Sequence, residues 1–261
     1  MDIIIYIILF FIITILFYFY NYKILFIKNI EKFKNNISFI KKKDLLIILL
    51  EDKDNYYKKF YKNDFKARNI KTLDEYYKNI AYSVSDADNY IQEKVINAIS
   101  KADDFFGKLY YDYFDGKICN KITWKIGFIK NKLYESGLPH TRNDIIILNI
   151  DTIKYNSIHN LTKTLIHEKV HIYQKKYPNK VNKYILFYNF KKIKKREEYD
   201  NIRANPDLDD YIYQDKYNNT YKAFYNKNVL SVEDIIYYPE NNQKFEHPFE
   251  KMAIEIEKEY K

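Results

Sequence analysis

Residues 165–174, LIHEKVHIYQ, set two histidines four positions apart, and that spacing constrains the chain locally. On an α-helix, positions four apart lie about 40° apart on the wheel and one turn above one another, so the His167 and His171 imidazoles can reach a single point. The flanking residues agree with a helix. Ile158, Leu161, Leu165 and Ile172 form one apolar arc, Ile166, Val170 and Tyr173 another, and Thr164 and Gln174 share the polar stripe of the histidines. The pattern predicts a core helix over Ile158–Lys176 that stops before Pro178. Lys169 interrupts the apolar arcs and is expected to snorkel or to lie at an edge.

The chain holds only five histidines. At that frequency a His-Glu-x-x-His is expected about 0.005 times by chance, so two incidental histidines, solvated or satisfied in a core, explain it poorly. Two imidazoles on one helical stripe suit Zn²⁺, and Glu168, about 100° round the helix from His167, is off the ion but close to a water beside it. That arrangement predicts His167 and His171 as zinc ligands and Glu168 as the base that takes a proton from the zinc-activated water.

Catalytic zinc takes three protein ligands and keeps one position open. The single cysteine, Cys119, lies upstream among expected turns and strands, and no Gly or His follows His171 at metzincin spacing. A later glutamate is the remaining route. In EHPFEKMAIE (246–255), Pro248 is placed to start a helix, Glu250 falls in its first turn, and Ala253 one turn on permits close helix packing. Glu250 is the preferred third ligand, with Glu246 and His247 as neighbouring competitors; an acidic residue in a first helical turn also has an ordinary electrostatic explanation. His140, before a strand, could polarise a carbonyl or simply be solvated. Tyr211 or Tyr213 could donate to an oxyanion. None of these three is assigned to the site.

The remainder reads as one α+β domain over residues 72–261. TLDE (72–75) is a capping-box pattern, and Ile91, Val95, Ala98, Ile99 and Ala102 recur at helical spacing. All four glycines lie between Gly107 and Gly137, among turns and the Ile-rich strand candidates ITWKIGFI (122–129) and DIIILNI (144–150). A second helix is expected over Lys180–Phe190 and an extended hairpin over the Tyr-rich 210–238. The abundance of Ile, Lys, Asn and Tyr, with 29 Tyr against 4 Gly and 5 Pro, reflects an A/T-rich coding sequence more than a fold.

Residues 3–20, IIIYIILFFIITILFYFY, contain no charge, Gly or Pro. Eighteen such residues are just long enough to cross a bilayer core as a helix, and Tyr18, Tyr20 and Tyr22 gather at one end as interfacial residues do. With no basic n-region and no small-residue cleavage site, residues 1–27 are expected to be an uncleaved, single-pass anchor rather than a signal peptide. Residues 21–71 carry fourteen Lys plus Arg against six Asp plus Glu, almost the whole net charge of +9. This predicts a basic juxtamembrane stalk over 28–71, on the cytoplasmic side and able to meet anionic lipid headgroups. No nucleic-acid motif accompanies the charge, and no nucleic-acid partner is expected.

HEKVH on a core helix with a downstream helical glutamate resembles the zincin metallopeptidases, and among them the gluzincin branch. The blocks GLPHTRNDIIILN, TLIHEKVHIYQ, NPD (205–207) and EHPFEKMA are similar to uncharacterised metallopeptidase-like proteins of large DNA viruses, over roughly residues 85–261. The resemblance implies a zincin-like domain of a small mixed sheet, the motif helix and a C-terminal helix. It implies one catalytic Zn²⁺ on His167, His171 and Glu250, Glu168 as base, and an extended protein or peptide substrate lying along strand 143–150 as the sheet edge. If the source is viral, the membrane is that of host or virion. Familiar gluzincins place an acid four residues after the ligand glutamate to orient a histidine; here that position is Ile254. The resulting expectation is a membrane-anchored zinc metallopeptidase. The alternative is an inactive, membrane-anchored interaction protein on the same fold.

Overall fold

The computed structural model describes residues 36–199, 201–239 and 245–261. The expected anchor (1–27) and residues 28–35 of the expected stalk lie outside the described residues. In chain order the elements are β1 (Ile37–Phe39), α1 (Lys42–Glu51), α2 (Lys62–Ala67), α3 (Leu73–Ser83), β2 (Val84–Ser85) and α4 (Asn89–Phe106). A hairpin of β3 (Tyr110–Tyr111) and β4 (Phe114–Asp115) leads through α5 (Gly116–Asn120) to β5 (Trp124–Ile129), β6 (His140–Arg142) and β7 (Ile145–Asn149). Then follow α6 (Ile150–Tyr155), α7 (Ile158–Lys176), α8 (Pro178–Phe187), β8 (Lys191–Lys195), β9 (Tyr211–Gln214), β10 (Thr220–Tyr225), β11 (Ile235–Tyr238) and α9 (Pro248–Lys258). This is a mixed α+β domain with several helices and small sheets.

The main sheet has the order β1-β5-β7-β6, with β2 also against β5. Strands β1, β5 and β7 run parallel, and β6 returns antiparallel along β7 with His140 opposite Ile147 and Arg142 opposite Ile145. The alternation of side chains along strands sorts the sheet into two faces. Trp124, Ile126, Phe128, Ile146 and Leu148 pack on α4 and α7, while Ile129, Ile145 and Ile147 pack on α1 and α3. A second sheet, β11-β10-β9-β8, is antiparallel; β9, β10 and β11 fall in the Tyr-rich 210–238 expected to be an extended hairpin, and β8 joins them from before it.

Two expectations are corrected here. Residues 36–71 are not a stalk: β1 is hydrogen-bonded to β5, and Leu45 and Leu49 of α1 are fully buried. A Cβ on Gly127 would lie 2.7 Å from a Leu45 methyl, so this glycine lets α1 sit close against the middle of β5. Burying each leucine is worth about 2 kcal/mol, ample reason for the segment to join the domain. Three of its charges, Asp52, Asp54 and Arg68, hold the same junction. The buried Arg142 of β6 forks onto Asp54 (2.6 and 2.7 Å) and reaches Asp52 (2.8 Å). The buried Arg68 pairs with Glu135 at 2.8–2.9 Å. The second correction is the edge. The expected edge strand, β7, has neighbours on both sides, and the outer strand is β6.

Helix α7 has the expected bounds. Ser157 caps its first turn by accepting from the Asn160 N–H (3.1 Å), and Pro178 begins the next helix. Lys169 neither snorkels nor lies at an edge: it is fully buried, its ammonium 2.5 Å from the Ile122 carbonyl and over the Trp124 ring. Burial draws its pKa down to about 8. Helix α9 starts at Pro248 and packs on α7 through the buried Met252, Ala253 and Ile256. Among the described residues no helix is long and apolar enough to cross a membrane.

Candidate metal centre

The packing of α9 on α7 brings Glu250 to the histidine stripe. His167 Nε2 and His171 Nε2 lie 3.1 Å apart, and Glu250 Oε2 is 3.4 Å from the first and 3.8 Å from the second. A point equidistant from these three atoms is about 2.0 Å from each, within the range of zinc–imidazole and zinc–carboxylate bonds. Among the described residues this is the one group of three such side chains able to hold a metal ion.

The outer partners fix which atoms face that point. His171 Nδ1 donates to Gln174 Oε1 (2.9 Å), whose amide nitrogen donates to the Phe249 carbonyl (2.9 Å) at the start of α9. His167 Nδ1 lies 3.2 Å from Glu257 Oε2. Both imidazoles are thus held with Nε2 inward and Nδ1 engaged, as the non-ligating nitrogen of a metal-bound histidine usually is. Glu257 supplies the orienting carboxylate that position 254 lacks. Seven residues after Glu250, it stands two turns further along the same helical face. Glu250 Oε1 accepts from Asn205 Nδ2 (3.0 Å), leaving Oε2 for the centre.

The electrostatics favour positive charge at this point. Burial alone would raise the Glu250 pKa, but His171 and His167 outweigh it and hold the carboxyl well below the usual range. Burial likewise opposes an imidazolium at His167, yet hydrogen bonds to Glu250 and Glu257 raise its pKa. His171, fully enclosed, is pushed down by burial. Two inward nitrogens and a carboxylate oxygen this close suit a cation.

Glu168 is off this cluster, as its helical position requires. It lines a cleft of about 190 Å³ together with His167, Glu250, His140, Arg203 and Asp207. Its side chain is almost wholly buried, and its Oε2 has no hydrogen-bond partner among the described residues. Buried Glu135 provides the contrast, accepting from Arg68, Tyr56 and Tyr76 at both oxygens. An orphaned buried carboxylate is costly and calls for a cause. Burial, followed by the nearby charge of Asp207, raises the Glu168 pKa, which makes the carboxylate a stronger base. The donor set fits a zinc ion, with a spare carboxylate beside it.

The competitors for the third ligand are engaged elsewhere. Glu246 pairs with Arg203 (Nε to Oε1 2.7 Å), and His247 caps α9 while Nε2 donates to Asp209 (3.0 Å). His140 is buried, not solvated, and both its nitrogens are bonded, to the Leu138 carbonyl and the Tyr134 hydroxyl. The Tyr213 hydroxyl is taken by Asp209 (2.8 Å), and the Tyr211 ring lies beneath Lys192. Glu257, Asn205 and Asp207 escaped the sequence reading. The NPD block (205–207) is the only sequence signal for the last two.

No protein-family model, curated protein or solved structure matches this chain.

Proposed function

We propose that the chain is a zinc-dependent peptidase with a zincin-like domain, held at a membrane by its N-terminal segment. The observation that carries the reading is the orphaned Glu168 carboxylate beside three converging ligand atoms. His167, His171 and Glu250 would hold the ion; when bound, it supplies Lewis acidity that polarises a carbonyl and lowers the pKa of a water. Glu168 takes a proton from the attacking water and returns it to the leaving amine. Gln174 and Glu257 keep the imidazoles aimed, and Asn205 keeps one Glu250 oxygen occupied so that the other faces inward.

The outer edge of β6, close to this cleft, is where an extended protein or peptide substrate would pair by its main chain. The eighteen-residue apolar run at 3–20 supports a single-pass anchor, and the basic residues after it support a cytoplasmic or virion-interior domain that meets anionic headgroups. The test is elemental analysis of the full chain in detergent, with hydrolysis of an unstructured polypeptide measured before and after chelation. One zinc per chain, with activity lost on chelation and regained with zinc, is expected. A chain that takes up no zinc contradicts the reading.

A further inference from the structure

Thr141 is the middle residue of the three-residue edge strand. Its neighbours pair with Ile147 and Ile145 of β7, and strand alternation turns its own N–H and C=O outward. An antiparallel peptide would use these two groups, giving a carbonyl to the N–H and an N–H to the carbonyl. Both are already engaged from within the chain. Asp207 Oδ1 accepts from the Thr141 N–H (2.7 Å) and from its hydroxyl (2.5 Å). Lys175 Nζ donates to the Thr141 hydroxyl (2.6 Å), to its carbonyl (3.4 Å) and to the Pro206 carbonyl (3.0 Å).

The segment that delivers Asp207 also divides two clefts. Residues Arg203–Pro206 wall both the 190 Å³ cleft containing Glu168 and a larger one of about 390 Å³, which reaches Asn143 and Asp144 just beyond β6. With this strap raised, the clefts would join along the β6 edge.

We propose that Asp207 and Lys175 are an intramolecular stand-in for substrate, which closes the peptide-pairing position at Thr141 until an extended polypeptide replaces them there. One carboxylate acceptor and one ammonium donor reproduce the hydrogen bonds of an antiparallel peptide unit. The inference rests on the peptidase reading of the site and adds its regulation. Entry then requires an extended segment whose main-chain N–H and C=O are free to pair with Thr141.

The test uses the full zinc-loaded chain in detergent, with Asp207→Ala and Lys175→Gln introduced separately in a Glu168→Gln background. Binding of fluorescein-labelled β-casein, an unfolded polypeptide, is read by anisotropy, and exchange of the Thr141 amide by mass spectrometry. Each substitution is expected to tighten binding about tenfold, as follows if the open form is about a tenth of the population, and to speed exchange at Thr141 with zinc content unchanged. Equal or weaker binding by variants that keep zinc and fold overturns the closure. If Asp207→Ala does not fold, Lys175→Gln, which cuts the tether to Pro206, decides alone. Tighter binding without cleavage by any chain that keeps Glu168 would sink the peptidase and leave the closure standing. Cleavage by the wild type with no variant binding more tightly would do the reverse.

Discussion

Glu257 Oε2 lies 3.2 Å from His167 Nδ1, so the helix that supplies Glu250 to the centre also orients one of the histidines it meets there. Two contacts from one rigid element hold the centre against rotation of either side chain. Helices hold such groups more exactly than loops do.

Glu257→Gln is therefore expected to weaken zinc binding about 10–100-fold without abolishing it, since the amide still accepts from Nδ1 but carries no charge. Competition against a chromogenic chelator measures this. Unchanged affinity would make the contact incidental.

The junction between residues 36–71 and the rest of the domain should show in stability. Leu45→Ala removes a fully buried side chain from its seat on Gly127 and is expected to cost about 2–5 kcal/mol in denaturant unfolding. A chain beginning at residue 72 would bare the same face of the sheet and should aggregate or unfold. A folded 72–261 fragment with the stability of the whole would contradict this packing.

Glu135 gives a pH signature. Burial opposes its charge, but Arg68 and the hydrogen bonds around it bring its pKa down from 4.5 to about 2. A carboxyl depressed by folding stabilises the native state above its unfolded pKa and loses that contribution as pH falls through its folded pKa. Glu135→Gln should therefore destabilise the protein at neutral pH, and its deficit relative to wild type should shrink between about pH 4.5 and 2. Urea titrations of both proteins across that window check the sign. A deficit independent of pH would mean that shape, not charge, matters at this position.

Much of the site was legible because local rules govern it. The bounds of α7 follow from its apolar arcs, Ser157 and Pro178, and Pro248 starts α9 as its fixed φ favours. Glu250 was readable as a helical position, and Ala253 one turn on as the small residue that lets α9 lie against α7 and bring it to the histidines. The errors were tertiary. Residues 36–71 were counted as charge, whereas Asp52, Asp54 and Arg68 find partners more than sixty residues away. Lys169 breaks an apolar pattern that is nonetheless buried, because the Ile122 carbonyl and the Trp124 face receive its ammonium. The edge at 143–150 followed from the resemblance alone, and β6 outside it, three residues long, is too short to show a period of two. Glu257 was missed because the acid was sought one turn after Glu250, and the same face returns after two.

In the proposed reaction three residues hold the ion and a fourth, Glu168, moves the proton. The most direct measurement is zinc stoichiometry and peptide hydrolysis in Glu168→Gln beside His171→Ala. Glu168→Gln is expected to retain one zinc per chain while hydrolysis falls by at least about 10²–10⁴-fold, the usual worth of a general base. His171→Ala is expected to lose the zinc and, with it, part of the stability. Loss of zinc from Glu168→Gln as complete as that from His171→Ala, or full activity in Glu168→Gln, would contradict the assignment.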